Sequence, residues 1–474
     1  MIMNKTKIIA TIGPASQSPA VLEQLILAGA NVLRINASHG KREDQKQIID
    51  DLRKLNDKLK TNVAILFDLQ GPKIRIGEID SAHAELTNGQ EVALTTKESI
   101  GNNKRIYVKY PSFIKDVKAG DRILIDDGNI ELKVLSNNNL DEVKALVVDG
   151  GILSSKKGLN LPNTKISLPS LTPKDKEDLE FALDNDVEWI GLSFIRSARD
   201  LEALKSVIRY KNKTSKTIAK IEKPEAVADI DQIIAVADGV MVARGDLGVE
   251  IPLEEVPLIQ KMIVQKCIEA GKPVIIATQM MESMISNQRP TRAEVNDVGN
   301  SVIDGADAVM LSAETSVGRD PVNVVQHMLR IIMTVQKNEG IYYHNHAPNR
   351  ESRTFISDST TYNACVIAQQ CNASAIVTMT HSGYSAQRIA AQRPKANIYV
   401  FTDNHLLLTQ FSLVWGIQGF FYDKYHHTDE NITDIKEFIE EKKYVNKGDI
   451  VIHIFSTPLQ ARGRANTIKI NAID

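Results

Sequence analysis

Short apolar runs in this chain repeatedly end in residues able to hold anions and metal ions. Val32-Leu33 leads into Arg34, Asn36, Ser38 and His39; Ile65-Leu66-Phe67 into Asp68; Ile218-Ala219 into Lys220 and Glu222. Met241-Val242-Ala243 leads into Arg244, Gly245 and Asp246, and Ile275-Ile276-Ala277 into Thr278 and Gln279. In an extended strand residues two apart share a face, so Lys220 and Glu222 project together. Glu222 and Asp246, from neighbouring strands, suit Mg²⁺, which favours one or two carboxylates completed by phosphate and water. Arg34 and Lys220 add fixed positive charge, and Gly245-Asp246-Leu247-Gly248 can open a short helix whose N–H groups receive an anion. Taken singly, a charge at a strand end is commonly just the point where the chain meets water. Together these residues describe an anion site beside a metal ion. On this physics the chain is a Mg²⁺-dependent enzyme acting on a phosphorylated or carboxylated small molecule, with aldolase-type and phosphotransfer chemistry both open.

The elements that must position these groups follow from periodicity. Strand-like runs at Lys7–Ile12, Val32–Asn36 and Val63–Asp68 alternate with helical patterns near Pro19–Ala28 and Arg42–Leu59. The rhythm stops at Gly71-Pro72, and about a hundred turn-rich, strand-like residues follow, an inserted all-β domain. Alternation resumes at Trp189–Phe194, Thr217–Glu222, Gly239–Asp246, Pro273–Gln279 and Ala308–Glu314, making roughly eight strand-helix units, the number that closes a barrel. An α/β enzyme with a split sheet is the alternative. Tyr342–Arg353 is polar and aperiodic, a linker to a last α/β domain that begins near Ser357 and carries strands at Ala375–Thr380 and Ile398–Thr402. The expected organisation is α/β: a (β/α)₈ TIM barrel over 1–71 and 169–342, an inserted β-barrel lid over 72–168 and a C-terminal α/β regulatory domain over 353–474.

Composition narrows the function. The 474 residues, 43% hydrophobic, can fill more than one core, and 57 basic against 59 acidic side chains leave no footprint for nucleic acid or an anionic membrane. The three cysteines, Cys267, Cys365 and Cys371, lack metal-ligand spacing and argue against a secreted disulfide framework, which favours the cytoplasm. No segment reads as a signal peptide or membrane span.

The same residues carry a resemblance. Arg34-Ile35-Asn36-Ala37-Ser38-His39-Gly40, Asp68-Leu69-Gln70-Gly71-Pro72-Lys73-Ile74-Arg75, Lys220-Ile221-Glu222, the segment Met241–Glu250, Ala277-Thr278-Gln279-Met280 and the segment Arg289–Glu294 resemble the signature segments of pyruvate kinases, in the same order and over essentially the whole chain. The resemblance implies phosphoryl transfer from phosphoenolpyruvate to ADP. It implies that Glu222 and Asp246 ligate Mg²⁺, that Arg34 and Lys220 hold the transferring phosphoryl group, and that amides around Gly245 and Asp246 receive the substrate carboxylate. Asn36, His39, Arg75 and Lys157 would face ADP, with Lys157 arriving as the lid closes. Thr278 would orient the proton donor to the enolate, with Ser312 and Glu314 available for a water relay. A cytoplasmic homotetramer is implied as well.

Two features depart from the commoner pattern or extend it. Many pyruvate kinases read Asp-Thr-Lys-Gly-Pro-Glu after the third strand and need K⁺. Here Leu69 replaces a threonine and Lys73 a glutamate, so the expectation is that the Lys73 ammonium replaces K⁺. The alternative keeps K⁺ on Asn36, Ser38 and Asp68. In the last domain Thr380, His381, Ser382, Gly383 and Ser385 collect hydroxyls and amides at a helix start, which suits a phosphorylated effector, a plain capped loop being the alternative. Gln460–Asn466 matches the family's second effector loop weakly. A barrel lyase would need neither Lys157 nor a phosphate partner for Arg75, and a non-catalytic relative would lose Glu222, Asp246 or Lys220; all are retained.

Overall fold

Aliphatic and β-branched runs of four to six residues are too short for stable helices, and here each pairs in parallel with the next. The computed structural model describes every residue except 1–3, 81, 83, 163, 425–427, 458–462 and 474. Eight strands close a barrel: Lys7–Thr11, Val32–Asn36, Ala64–Asp68, Trp189–Leu192, Lys216–Ile221, Gly239–Ala243, Val274–Ala277 and Ala308–Leu311. The first pairs with the eighth in the register Lys7 to Ala308. Side chains alternate in direction: Ile8, Ala10, Leu33, Ile35, Ala219 and Ile221 pack under the helices. Ile9, Val32, Leu66, Trp189, Ile218, Met241 and Ile275 fill the interior. Continuing the inward set by two residues along each strand reaches Arg34, Asp68 and Lys220, so one alternation makes both the apolar floor and the charged rim.

Helix starts are fixed locally. Thr172 and Thr291 each cap a following helix with reciprocal bonds to Asp175 and Glu294. Four expected strands end two or more residues sooner. The fourth stops at Leu192; the sixth stops at Ala243, because Arg244–Glu250 turns straight into a helix; the seventh stops at Ala277, because Thr278 and Gln279 take positive φ values of 70° and 54°; and the eighth stops at Leu311, just before the helix Ala313–Ser316.

Between the third and fourth barrel strands a separate apolar cluster gathers Ile76, Leu94, Phe113, Ile123, Leu132 and Val147. Its main sheet has six strands, with Leu159–Asn160 at one edge and Arg105–Tyr107 at the other, so the strand ladders alone do not close it into a barrel. Single bridges from Arg75 to Gly158 and from Ile76 to Val108 stitch the edges through the outgoing hinge segment. Among its described residues the lid also contains the short helix Phe113–Asp116.

The last domain has a five-stranded sheet in the order Ile417–Phe421, Asn397–Thr402, Ala375–Met379, Ile450–Phe455 and Thr467–Ala472, parallel except for the last strand. It docks on the amino-terminal mouth of the barrel, where its Leu413 joins the interior cluster. The surrounding contacts are polar. Arg393 donates to Asp307 at 2.8 Å and to the Gly305 carbonyl at 2.7 Å, and Trp415 N–H donates to the other Asp307 oxygen. Lys5 Nζ donates to the carbonyls of Pro394 and Ala396 at 3.0 and 2.8 Å and lies 5.0 Å from the Trp415 ring centroid.

Burial, aided by neighbouring Lys7, pulls Lys5 down to about 7. A lowered lysine pKa means the unfolded chain binds more protons from that value up to the unfolded lysine value near 10.4, so the native state gains stability as pH rises through that window. Lys5→Met removes the dependence. Between about pH 7 and pH 9 the wild type should gain up to about 2 kcal/mol relative to the variant. Parallel thermal midpoints across that range would refute the linkage.

Candidate active site

Four ionisable side chains meet above the barrel interior. Lys220 Nζ lies 2.9 Å from Glu222 Oε1 and 3.2 Å from Asp68 Oδ1, and it donates to Ser193 Oγ at 2.7 Å. Arg34 grips the other Asp68 oxygen with Nε and Nη2 at 2.8 and 2.6 Å, while its Nη1 donates to Thr11 Oγ1 at 3.0 Å. Phe194 N–H donates to Glu222 Oε2 at 2.6 Å. Asp68 and Glu222 are 1% and 0% exposed, and Arg34 and Lys220 9% each. Charges this buried persist only when balanced, and two cations against two carboxylates achieve that. The shared face expected for Lys220 and Glu222 is present.

The balance sets protonation. Burial works against the Lys220 ammonium, but Asp68 and then Glu222 outweigh it and hold Lys220 above the ordinary lysine value. Lys220 is therefore a fixed cation at neutral pH, not a base. Burial also opposes Asp68 ionisation, yet Lys220 and Arg34 hold its carboxyl below the usual range. Glu222 differs: burial pushes it up to about 7, with Lys220 pulling the other way. Its anionic form is the one in the set that a further cation would secure.

Those features bear on a divalent metal. Glu222 Oε1 and Asp68 Oδ1 are buried oxygens that accept no hydrogen bond, although Lys220 is close to both. Asp246, on the helix Arg244–Glu250, has the Lys73 ammonium 3.7 Å away. Hard carboxylate oxygens from Glu222 and Asp246 fit Mg²⁺. Among the described residues no group of three or more His, Cys, Asp or Glu side chains forms a metal cluster, so an ion here would complete its shell with substrate oxygens and water.

Beside this pair, Thr278 Oγ1 accepts from Gly245 N–H at 2.8 Å and donates to the Ala277 carbonyl at 2.6 Å. The Gly245 amide, expected to meet a substrate carboxylate, is thus engaged by Thr278. Arg244 fixes the left-handed Thr278 by donating to its carbonyl at 2.7 Å while paired in bidentate fashion with Asp297. Ser312 and Glu314 are not joined to Thr278. Glu314 is buried and accepts from the backbone amides of Met281 and Ser312, so its oxygens brace two loops.

A cleft of 1080 Å³ between the lid and the barrel rim has a lining that includes Lys73, Asp127, Arg244, Asp246 and Gln279, and the structure brings none of Asn36, His39, Arg75 and Lys157 into that lining. Lys157 Nζ is paired with Asp126 Oδ1 at 2.7 Å, and Arg75 donates to the Lys156 carbonyl at 3.1 Å, so both are engaged within the lid. His39 is exposed, and Asn36 Oδ1 accepts from Ser38 N–H at 3.0 Å. No hydrogen bond or ion pair among the described residues joins Lys73 to Asn36, Ser38 or Asp68; its charged neighbour is Asp246.

In the last domain a cavity of 270 Å³ is lined by Thr380, His381, Ser382, Ser385, Ser357 and Arg464. Gly383 starts the helix Tyr384–Ala391 with φ 84°, its N–H donates to Thr380 Oγ1 at 2.9 Å, and His381 Nδ1 lies 3.0 Å from Asp403. Gln460, Ala461 and Arg462 of the second expected loop lie outside the described residues.

Ser193, Thr11 and Arg244 were not singled out for a role in the sequence. Ser193 sits inside a run that reads as plain strand, Thr11 ends the first strand without a charge, and the Arg244 side chain reaches back to the neighbouring strand end. Only the barrel register brings them to these partners.

Comparison with known proteins agrees with the geometry. Residues 3–325 match the family model "Pyruvate kinase, barrel domain" and residues 358–471 match "Pyruvate kinase, alpha/beta domain". A pyruvate kinase of Corynebacterium glutamicum is 42% identical over 469 residues, covering 99% of this chain and 98% of that protein. One of Mycobacterium tuberculosis is 41% identical, with 98% of each covered. The crystal structure of a pyruvate kinase from Cryptosporidium parvum superposes with a TM-score of 0.92 at 33% identity, covering 99% of this chain and 96% of that one. With both domain models matched in order and the buried charge set in place on the barrel rim, the chain belongs to the pyruvate kinase family.

Proposed function

We propose that this enzyme transfers the phosphoryl group of phosphoenolpyruvate to ADP, giving pyruvate and ATP, with Mg²⁺ and without a requirement for K⁺. The observation that carries the reading is the Lys220 ammonium held ionised between Asp68 and Glu222, beside Arg34. In the reaction the bond from phosphorus to the enol oxygen breaks as one forms to a β-phosphate oxygen of ADP, and the enolate left behind takes a proton at carbon. The chain's task is positioning and charge stabilisation. Arg34, locked by Asp68 and Thr11, presents fixed positive charge to the phosphoryl oxygens, and Lys220 faces both that group and the developing enolate. Because Lys220 stays charged, the proton comes from another source, with the clamped Thr278 hydroxyl as its orienter. Bound Mg²⁺, held by Glu222 and Asp246, would supply Lewis-acid neutralisation of the phosphoryl charge.

ADP would be met by Asn36, His39, Arg75 and Lys157 as the lid closes and Lys157 exchanges Asp126 for phosphate. Lys73 supports independence from K⁺, since it brings a monovalent cation of its own to Asp246 while Asp68 is already balanced by Arg34 and Lys220. The cavity around Thr380, His381, Ser382, Gly383 and Ser385, with Arg464 as its cation, is suited to a phosphorylated effector. We assign the enzyme to the cytoplasm as a homotetramer. No helix among the described residues is long and apolar enough to cross a membrane.

Coupled assay of ATP formation tests the reading. Lys220→Met should lower kcat by at least about 10²–10³-fold, the scale of losing one preorganised charge, and equal rates would end the kinase assignment. Glu222→Gln should raise the Mg²⁺ concentration for half-maximal rate by about tenfold or more, since even outer-shell partners of a metal matter on that scale. An unchanged Mg²⁺ titration would remove Glu222 from the metal site. In buffer whose only monovalent cation is a bulky organic one, the wild type should run at full rate and Lys73→Glu should become dependent on K⁺. A many-fold rise of the wild-type rate on adding K⁺ would refute the substitution of K⁺ by lysine.

A further inference from the structure

One buried carboxylate outside the charge set described above joins a helix on the barrel rim to a neighbouring barrel loop and to the lid. Glu250 is the last residue of the helix Arg244–Glu250, which carries Gly245 and Asp246. Its Oε1 accepts from Lys223 Nζ at 2.7 Å, and Lys223 directly follows Glu222 on the loop after the fifth barrel strand. The same Oε1 accepts from Asn160 Nδ2 at 2.8 Å. Asn160 belongs to the lid, on the edge strand Leu159–Asn160, three residues after Lys157. The Glu250 side chain is 1% exposed and its Oε2 accepts nothing.

We propose that Glu250 is a positioning residue that couples the lid to the catalytic rim, with Asn160 as its counterpart on the lid. The inference rests on the pyruvate kinase reading for the identity of the two substrates. Lys223 alone suffices to balance the Glu250 charge, so the Asn160 bond is not needed to make burial tolerable. What it adds is a directed link across the boundary between domains. Nearby, the return hinge is held by Arg196, which donates to the Ile166 and Leu168 carbonyls at 2.6 and 2.8 Å. With the hinge tied there, the Asn160 contact registers the lid's edge strand, and hence Lys157, against the helix bearing Asp246, on the return side of the lid opposite the Lys73 to Asp246 pair. The second Glu250 oxygen stands open, so the link is not saturated and can be remade as the lid moves.

Because the lid carries nucleotide contacts and the rim carries those to phosphoenolpyruvate, the coupling should divide between the two substrates. Asn160→Ala should raise the KM for ADP by about tenfold, the scale of one hydrogen bond to a charged group, while leaving the KM for phosphoenolpyruvate within about twofold. Glu250→Gln, which keeps the acceptor but removes its charge, should raise the ADP KM by about threefold. In the double variant the effects should not add, because the charge on Glu250 no longer reaches the lid once Asn160 is truncated. An unchanged ADP KM in Asn160→Ala, equal rises for both substrates, or additive effects would each overturn the proposal. Turnover by the wild type in the same assay keeps the kinase reading separate from this result.

Discussion

Placing charge in a low-dielectric barrel mouth is tolerable only under strict pairing, and the arrangement of Asp68, Arg34, Lys220 and Glu222 satisfies that constraint. Asp68 is the hinge of the set: one oxygen takes two guanidinium donors and the other faces the lysine ammonium. Because the pairs are buried and multiply hydrogen-bonded, Arg34 and Lys220, the cations proposed to meet substrate, are held in place in advance, so that little reorganisation would be required at the moment of charge transfer. The rest of the barrel can be understood as the support for that geometry. Apolar side chains one step lower on the same strand faces exclude water from beneath it, and Thr11, Ser193 and the Phe194 amide pair with Arg34, Lys220 and Glu222, leaving Asp68 Oδ1 and Glu222 Oε1 without a hydrogen bond.

Much of this was legible in the sequence because strand alternation is a strong rule. Placing Lys220 and Glu222 on one face required only their spacing, and the polar endings of five apolar runs pointed to one rim. What was not legible depends on backbone turns and on partners distant in sequence. Thr278 continues an apolar run and reads as strand, but positive φ there turns its hydroxyl onto the Gly245 amide. Lys157 reads as a free phosphate clamp, yet Asp126 holds it in this state of the lid. Glu314 reads as a relay carboxylate, while its oxygens are consumed by two loop amides. Each difference arises from a hydrogen bond whose partner no local pattern announces.

The hinge region joins these observations. Lys73 lies where the chain leaves the barrel and Asn160 where the lid's last strand returns, and both approach the helix that follows the sixth barrel strand. That helix begins at Arg244, immediately after Ala243, and stops at Glu250, because Ile251 before Pro252 is extended. A single change of direction therefore brings the backbone amide of Gly245, the carboxylate of Asp246 and the buried Glu250 into one short helix, reached by the outgoing hinge at Lys73 and by the lid's edge strand at Asn160.

The plug formed by Leu413 has a different reach. A residue contributed by the C-terminal domain completes the innermost packing of a barrel whose own strands end more than a hundred residues earlier. The boundary that composition and linker suggest is therefore not a seam along which this protein could be divided and recombined at will. An ancestor that exchanged its C-terminal domain for another would have had to preserve that one apolar finger, together with the pocket between strands that receives it. The lid, by contrast, has a core of its own and meets the rim through polar contacts, Asn160 to Glu250 and Lys73 to Asp246.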